Sequence, residues 1–355
     1  MPVPRHPEFA TTTRRAAVTA LAAGAVGAAG GGCRAQAANL QGVLSSGDVW
    51  LNTAPLEAGA LRGRVALVNF WTYTCINSLR PLPYLRSWAS KYADRGLIVI
   101  GVHTPEFTFE HEVARVREAV AAQHVSYPVV LDNDFRIWRG FGNEAWPGFY
   151  ILDGQGRLRH RRMGEGQYDH TERVIQALLQ SLHGQPVADA VRPVQGAGAQ
   201  AAADWTDLAS PETYVGYAKA SNFASGSVAP DAADDYHKPA RLRLNTWALS
   251  GRWAVRPEDA ELVAAGGGLA FRFHARDLHL VMAPGPTSAP IDFQVRLDGA
   301  PPGEDHGEDV AGDGRGRLEQ ARMYQLVRQR RGVRDRTFEI EFAAPGARAF
   351  CFTFG

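Results

Sequence analysis

Cysteine is scarce in this sequence, with three residues in 355: Cys33, Cys75 and Cys351. Secreted scaffolds that depend on disulfides carry more cysteines in much shorter chains, so that class of protein is excluded. Apolar residues make up 45% of the chain, which is enough for an ordinary buried core without crosslinks. Each cysteine therefore needs its own chemical or packing explanation.

A surplus of charge is also lacking, because the formal net charge is +1. A general nucleic-acid binder needs an excess of basic residues, so we predict no nucleic-acid partner. No residue spacing fits a zinc site, a calcium loop or a phosphate-binding loop. We therefore predict neither a cofactor nor a bound metal. Beyond the N-terminus, no apolar run is long enough to span a membrane.

Residues 1–37 are typical of an export signal. Arg14 and Arg15 precede a weakly apolar stretch over 16–32, and paired arginines suggest the twin-arginine route. The small residues around Ala37 predict cleavage after it, which places the mature chain in the periplasm or another extracytoplasmic space. Lipid anchoring at Cys33 is the less favoured alternative, since three glycines precede that cysteine.

Residues 38–183 alternate between strand and helix patterns. Continuous apolar runs predict buried strands at 65–71, 97–102, 128–131 and 148–152, with a further strand around Leu158. Helical spacing predicts helices at 82–92, 110–123 and 169–182. This order predicts a small α/β domain.

The chain changes character after this domain. Residues 184–203 are rich in Ala, Gly, Gln and Pro without periodicity, which predicts a linker. Residues 204–355 contain short, often alternating runs separated by Gly/Pro turns, as in an all-β sandwich or jelly roll. The predicted strands cover 269–273, 278–282, 293–297, 337–342 and 349–354.

Cys75 follows the first buried strand and precedes a helix. A helix N-terminus presents unpaired amides that favour negative charge, so this position predicts a lowered thiol pKa and a reactive thiolate. Three residues later stands Ser78, which cannot form an S–S bond. The motif Cys75-Ile76-Asn77-Ser78 is therefore a monothiol site.

Residues 68–75 resemble the active-site strand of the TlpA/ResA-like thioredoxin superfamily. Pro83 matches the proline that kinks the helix after the site. Pro147, preceded by Trp146, matches the cis-proline that faces the reactive cysteine. The resemblance implies a thioredoxin-like fold in which Pro147 shapes the substrate face and Trp71 forms a wall of the site.

A resemblance to the exported C-terminal part of DipZ-type proteins covers nearly the whole mature chain. The matching segments are residues 50–52, 70–77, 102–107, 211–217, 245–251 and 323–328. It implies a second domain similar to carbohydrate-binding modules. DipZ-type proteins carry a membrane electron-transfer domain, so here a reductant would be a separate membrane partner. Three positions depart from the family pattern: Ser78 replaces the resolving cysteine, Asn69 replaces a buried aspartate, and Pro81 replaces a glutamate found in some relatives.

The favoured function is thiol–disulfide exchange by mixed disulfides, with exported protein disulfides or small-thiol disulfides as substrates. Cys75 would be the nucleophile, Ser78 would hydrogen-bond the thiolate, and an outside thiol or Cys351 would resolve the intermediate. For Cys351 itself, a packed cysteine without a redox role is the favoured interpretation. His103 and Glu106 lie at the end of a predicted strand, where they would tune Cys75 or belong to an ordinary loop.

Two alternatives remain open at this point. Thr72 and Cys75 match part of a peroxiredoxin motif, although Val68 stands where that family has a proline, so a peroxidase is one alternative. The other is a redox-inactive scaffold whose second domain binds a cell-envelope glycan. Its candidate stacking rings are Trp205, Tyr214, Tyr217, Trp247 and Trp253.

Overall fold

The computed structural model describes residues 40–355 except 48, 188–189, 192 and 286–288. The predicted signal peptide and Cys33 lie outside the described residues. Residues from Ala38 to Gly355 pack as one compact unit that contains both the α/β part and the β-rich part. Within the described ranges, no helix is long and apolar enough to cross a membrane.

The α/β part has a sheet flanked by helices, as predicted. Its strands are β1 Val49–Leu51, β2 Val65–Trp71, β3 Leu97–His103, β4 Val129–Leu131, β5 Gly148–Leu152 and β6 Leu158–Met163. Its helices are α1 Leu40–Leu44, α2 Ile76–Leu79, α3 Leu82–Lys91, α4 Val113–Ala122, α5 Arg136–Phe141 and α6 Tyr168–His183. The strand order is β1-β4-β3-β2-β5-β6, with β2, β3 and β4 parallel and the others antiparallel to their neighbours.

The central strand β2 has the continuous apolar sequence from which a buried strand was predicted. All of its seven residues are buried, because helices cover both faces of the sheet. The helix predicted over 110–123 is shorter than expected. A 3-10 turn, Thr108–His111, precedes α4, which begins only at Val113. The carboxylate of Glu110 accepts the amides of Glu106 and Phe107, so this turn is held separately from the helix.

The C-terminal part is a strongly curled sheet that forms a half-barrel sandwich. Its strands are β7 Thr213–Tyr214, β8 Ala233–Tyr236, β9 Thr246–Val255, β10 Ala260–Leu262, β11 Gly268–Phe273, β12 Asp277–Pro284, β13 Ile291–Leu297, β14 Arg315–Leu318, β15 Arg322–Arg328, β16 Arg336–Phe342 and β17 Ala347–Phe354. The main path runs β14-β13-β16-β11-β9-β10-β17-β12-β15. All five predicted strands are present, as β11, β12, β13, β16 and β17.

The long strand β9 joins the two layers of the sandwich. Its first half pairs with β11, and its second half pairs with β8 and β10. Gly251, at the point of change, has a φ of 87°, a left-handed conformation that glycine adopts without strain. Trp247 and Trp253, on either side of Gly251, are fully buried in the sandwich core.

The segment predicted as a linker is partly structured. A 3-10 turn covers Gly198–Gln200, and the side chain of Gln200 bridges two residues of the α/β part. Its Oε1 accepts a hydrogen bond from Arg86 at 2.8 Å, and its Nε2 donates to Gln123 Oε1 at 2.6 Å. The end of this segment is therefore attached to the first domain.

Candidate active site

Cys75 lies where β2 ends and α2 begins. It is the N-cap residue of α2, and its carbonyl accepts the amides of Ser78 at 2.9 Å and Leu79 at 3.1 Å. After α2 the chain turns at Arg80 and Pro81 into α3, whose first turn contains Pro83. The side chain is not open to solvent, because Cys75 is only 6% exposed.

Pro147 lies at the level of the same strand end. The Trp146–Pro147 peptide bond is cis, as predicted from the sequence. Gly148 pairs with Phe70 in the antiparallel β2–β5 ladder, so Pro147 lies beside the last residue of β2. Trp146 is anchored by a hydrogen bond from its Nε1 to the carbonyl of Thr104 at 3.0 Å. The β2–α2 junction and the cis-proline loop thus lie at one end of the sheet.

Aromatic rings pack behind Cys75. Trp71 is fully buried and contacts His103 edge-on, with ring centroids 5.6 Å apart. The Tyr73 ring stacks on the imidazole of His103, also with ring centroids 5.6 Å apart. Burial lowers the pKa of His103 to about 3, so its imidazole is neutral at ordinary pH. His103 therefore supports the site through packing rather than charge.

Glu110 is a fully buried carboxylate beneath the Cys75 loop. Its Oε1 accepts hydrogen bonds from the hydroxyls of Thr72 and Thr74, each at 2.6 Å. Its Oε2 accepts hydrogen bonds from the backbone amides of Glu106 at 2.6 Å and Phe107 at 3.0 Å. Burial raises the pKa of Glu110 to about 7, although these donors act against the rise. One side chain thus ties the loop before Cys75 to the loop after β3.

The C-terminal sandwich covers this site. We call the buried residues that meet there the interface cluster. From the α/β part they are Tyr73, Ile76, Leu79, Phe107 and Phe109, and from the sandwich they are Val281, Ala283, Ala321, Met323, Phe350 and Cys351. Phe350 contacts the rings of Phe107 and Phe109 at centroid distances of 5.2 and 4.9 Å. We call this docked state of the two domains, in which Cys75 is 6% exposed, the closed arrangement.

Polar groups join the two domains beside the interface cluster. The Tyr214 hydroxyl donates to Glu106 Oε1 and lies 3.3 Å from Glu212 Oε2. Lys219 Nζ lies 3.8 Å from the Glu106 carboxylate and 4.4 Å from the centre of the Tyr214 ring. Burial nevertheless raises the pKa of Glu106. A second link is the Thr108 hydroxyl, which donates to Glu258 at 2.7 Å.

These surroundings raise the pKa of Cys75. The causes are burial, then the negative charges of Glu212 and Glu106. Ser78 acts in the opposite direction through its hydroxyl and amide. The lowered pKa predicted from the helix N-terminus is therefore wrong for the closed arrangement. The charge of Glu106 acts on Cys75, which favours the tuning role among the two alternatives that the sequence leaves open for this residue.

Arg80, which follows the last residue of α2, makes polar contacts with both domains. It is 3% exposed, forms an ion pair with Glu165 at 2.8 Å, and donates to the Phe354 carbonyl at 2.9 Å. A further hydrogen bond joins it to Asn77 at 3.2 Å. Neither Arg80 nor Glu110 belongs to a motif that is recognisable in the sequence. The Thr–x–Thr pattern before Cys75 was the one available sign of a buried acceptor near this loop.

The residues proposed for sugar stacking do not form one surface. Trp247 and Trp253 lie in the sandwich core, and Tyr214 lies at the domain interface. Trp205 is 60% exposed and lies near Arg80, whose guanidinium is 5.8 Å from the ring centre. Tyr217 donates its hydroxyl to Asp231 at 2.9 Å.

Comparisons with known proteins divide the chain in the same way. Residues 32–179 match the redoxin family, and residues 210–355 match the family described as thioredoxin like C-terminal domain. The DipZ protein of Mycobacterium bovis is 35% identical over 260 residues, which cover 70% of this chain and 36% of DipZ. The chain thus spans about a third of the length of that relative.

Smaller relatives match the first domain. The thiol-disulfide oxidoreductase YkuV of Bacillus subtilis is 26% identical over 136 residues, covering 38% of this chain and 91% of YkuV. A solution structure of an oxidised thioredoxin-like protein is 27% identical and covers 37% of this chain and 88% of its own, with a TM-score of 0.35. The chain thus joins a redoxin domain to a thioredoxin-like C-terminal domain, and it is similar to DipZ and to thiol–disulfide oxidoreductases of the TlpA/ResA type.

Proposed function

We propose that this protein performs thiol–disulfide exchange with a single cysteine in its motif. The observation that carries the proposal is the placement of Cys75 at the β2–α2 junction with Ser78 in the resolving position. Ser78 Oγ is buried and makes no other hydrogen bond within the described residues, so it is available to the thiolate. It cannot displace a bound thiol, because an alkoxide is not available near neutral pH.

In the proposed reaction, Cys75 forms mixed disulfides by attacking the disulfides of exported proteins or of small thiols. The Cys75 thiolate attacks one sulfur of a substrate disulfide and releases the other sulfur as a thiolate. Because Cys75 is buried and its pKa is raised in the closed arrangement, reaction requires the interface around Tyr214 and Phe350 to open. Opening would remove the desolvation and separate Cys75 from Glu212.

The place of this reaction is part of the proposal. DipZ of Mycobacterium bovis matches the chain through both domains. Together with the paired Arg14 and Arg15, this similarity supports export by the twin-arginine route to the periplasm or another extracytoplasmic space. A separate membrane protein would then supply electrons. Lipid attachment at Cys33 is the less favoured variant of this proposal.

The two alternatives have less support in the geometry. The Thr72 hydroxyl donates to Glu110, whereas a peroxidase threonine would orient the thiol. Binding of a cell-envelope glycan by the second domain would have to use Trp205 or Tyr217, since Trp247 and Trp253 are in the core and Tyr214 is at the domain interface. Neither activity is needed to explain the position of Cys75.

The test is differential alkylation after exposure to oxidised glutathione. The full chain carrying Cys33→Ser is reduced, incubated with the disulfide, and quenched with an alkylating reagent under denaturing conditions. We expect the Cys75 thiol to be consumed in a time-dependent way that mass spectrometry can follow. The matched control, Cys33→Ser/Cys75→Ser, shows whether Cys351 reacts alone. An unmodified Cys75 after prolonged incubation, in a protein that remains folded, would refute the proposal.

A further inference from the structure

Two free thiols approach the domain interface from opposite sides. Among the described residues, the free cysteines are Cys75 and Cys351, and both are buried. Cys75 belongs to the α/β part, and Cys351 belongs to β17 of the sandwich. They are 276 residues apart in sequence, so only the docking of the two domains brings their surroundings together.

The register of β17 directs Cys351 toward the α/β part. Cys351 pairs with Tyr214 of β7, and residues paired across an antiparallel ladder project from the same face. The Tyr214 side chain reaches Glu106 across the interface. Cys351 packs in the interface cluster with Tyr73 and Ile76, whereas the next residue, Phe352, packs in the sandwich core.

The neighbouring residue Phe350 fixes this orientation. The β12–β17 ladder shifts register between Val281 and Met282, which leaves Phe350 outside the regular pairing. Phe350 consequently faces the α/β part together with Cys351, where it packs against Phe107 and Phe109. Both residues are almost fully buried. Packing around Phe350 therefore holds the Cys351 thiol at the interface and away from the sandwich core.

The two thiols share one electrostatic environment. Burial raises the pKa of Cys351, and the charges of Glu212, Glu106 and Cys75 raise it further. The same two carboxylates act on Cys75. Each thiol is thus within electrostatic range of the same acidic groups, which agrees with their convergence from opposite sides of the interface cluster.

We propose that Cys351 is the resolving thiol for Cys75 and that the two form a disulfide between the domains. This inference rests on the proposed exchange reaction at Cys75. It assigns to Cys351 the step that Ser78 cannot perform. The sequence alone favours a packed Cys351 without a redox role, and the position of Cys351 at the interface reverses that preference.

The proposed sequence of steps is balanced with a substrate disulfide as the oxidant. The Cys75 thiolate attacks the substrate, forms a mixed disulfide and releases the first substrate thiolate. After the two domains dock again, the Cys351 thiolate attacks Cys75 Sγ, forms the Cys75–Cys351 bond and releases the second substrate thiolate. The substrate gains two electrons and the cysteine pair loses two, while the two thiol protons pass to the released thiolates or to solvent.

The test identifies the product that oxidised glutathione forms in the full chain carrying Cys33→Ser. We expect intact-mass analysis to show the loss of two hydrogen atoms, and peptide mapping without reduction to show Cys75 linked to Cys351. The added substitution Cys351→Ser should instead accumulate a glutathione adduct on Cys75, at a level about tenfold higher. Cys351→Ala serves as a second variant if the serine disturbs folding.

The outcomes separate this inference from the exchange reaction itself. If the parent accumulates the same Cys75 adduct as Cys351→Ser and yields no linked peptide, the resolving role is overturned while exchange at Cys75 stands. If Cys75 stays unmodified in both proteins, the exchange reaction fails and the resolving role fails with it. The linked peptide is measured in the parent, so this result does not depend on the folding of either Cys351 variant.

Discussion

The Tyr214 hydroxyl of the sandwich donates a hydrogen bond to the Glu106 carboxylate of the α/β part. Glu106 follows β3, its side chain is 6% exposed, and its charge raises the pKa of Cys75. This hydrogen bond therefore links the docking of the two domains to the electrostatic environment of the Cys75 thiol. Opening of the interface would change both together, which makes Tyr214 a sensitive position for testing the closed arrangement.

Tyr214→Phe should loosen the interface without removing the ring. The substitution leaves the buried Glu106 carboxylate without its hydroxyl donor, which we expect to cost about 1–2 kcal/mol of docking free energy. Cys75 alkylation by iodoacetamide should then become about tenfold faster, because reaction occurs through the open state. Tyr217→Phe is the matched control, since its hydroxyl bonds Asp231 within the sandwich. Equal alkylation rates in the two variants would contradict this role of Tyr214.

Glu110 should make the stability of the protein depend on pH. Its folded-state pKa is raised to about 7, so the native state retains a proton that the unfolded chain releases near pH 4.5. Stability from this group is therefore fully present below about pH 4.5 and is lost as the pH rises to about 7, with an upper limit of about 3 kcal/mol. Urea unfolding across this range measures the slope.

Glu110→Gln should flatten that pH dependence, because the amide does not titrate. It should also lower stability, since the amide keeps one acceptor oxygen and turns its NH2 group toward donors that the carboxylate had satisfied. Glu112→Gln is the matched control, because Glu112 is exposed and ends the same 3-10 turn. A slope that persists unchanged in Glu110→Gln would show that another group titrates there.

Much of the fold was predictable, because its signals are local. The residues of β2 form a continuous apolar run, and the segment before β3 ends at Gly96, whose φ is 90°. Strand β9 escaped prediction because Gly251 interrupts its pattern at the passage between layers. The late start of the helix predicted at 110–123, at Val113, depends on hydrogen bonds to Glu110, which the spacing of apolar residues does not encode.

The sequence predicts the residues around Cys75 in the candidate site, but it does not predict the contacts of this site with the second domain. Cys75, Ser78 and Pro147 were identified by position relative to strands and by family resemblance. The contacts of Tyr214 and Cys351 with the first domain were not, because they join residues more than a hundred positions apart. The pKa of Cys75 was wrongly predicted for the same reason: a helix N-terminus is a local signal, whereas burial under the sandwich is tertiary.

Arg80 should be the most stability-sensitive charged residue at the interface. Arg80→Met removes the partner of the buried Glu165 carboxylate and a donor to the Phe354 carbonyl. We expect a loss of about 3 kcal/mol in the free energy of unfolding, measured by urea denaturation. Arg136→Met should change it by less than about 0.5 kcal/mol, because the Arg136–Asp134 pair is exposed.

A double variant separates the charge effect from lost packing. Adding Glu165→Gln to Arg80→Met removes the unpaired buried carboxylate, so part of the lost stability should return. If the double variant is as unstable as the sum of the two single variants, the pair is not coupled, and the role of Arg80 lies in its contacts with Asn77 and Phe354.

Ser78→Cys should restore a dithiol to the motif and increase the rate of insulin reduction with dithiothreitol by at least about tenfold. The gain is expected because an intramolecular thiolate resolves a mixed disulfide faster than an outside thiol or a thiol from another domain. Ser78 is fully buried, and cysteine is close to it in size, so the substitution should preserve the fold. Cys75→Ser/Ser78→Cys is the control, since it keeps one thiol in the motif but moves it. If Ser78→Cys gains nothing while its thiols titrate normally, the interface does not open for protein substrates, and thiol exchange at Cys75 would then be confined to small disulfides.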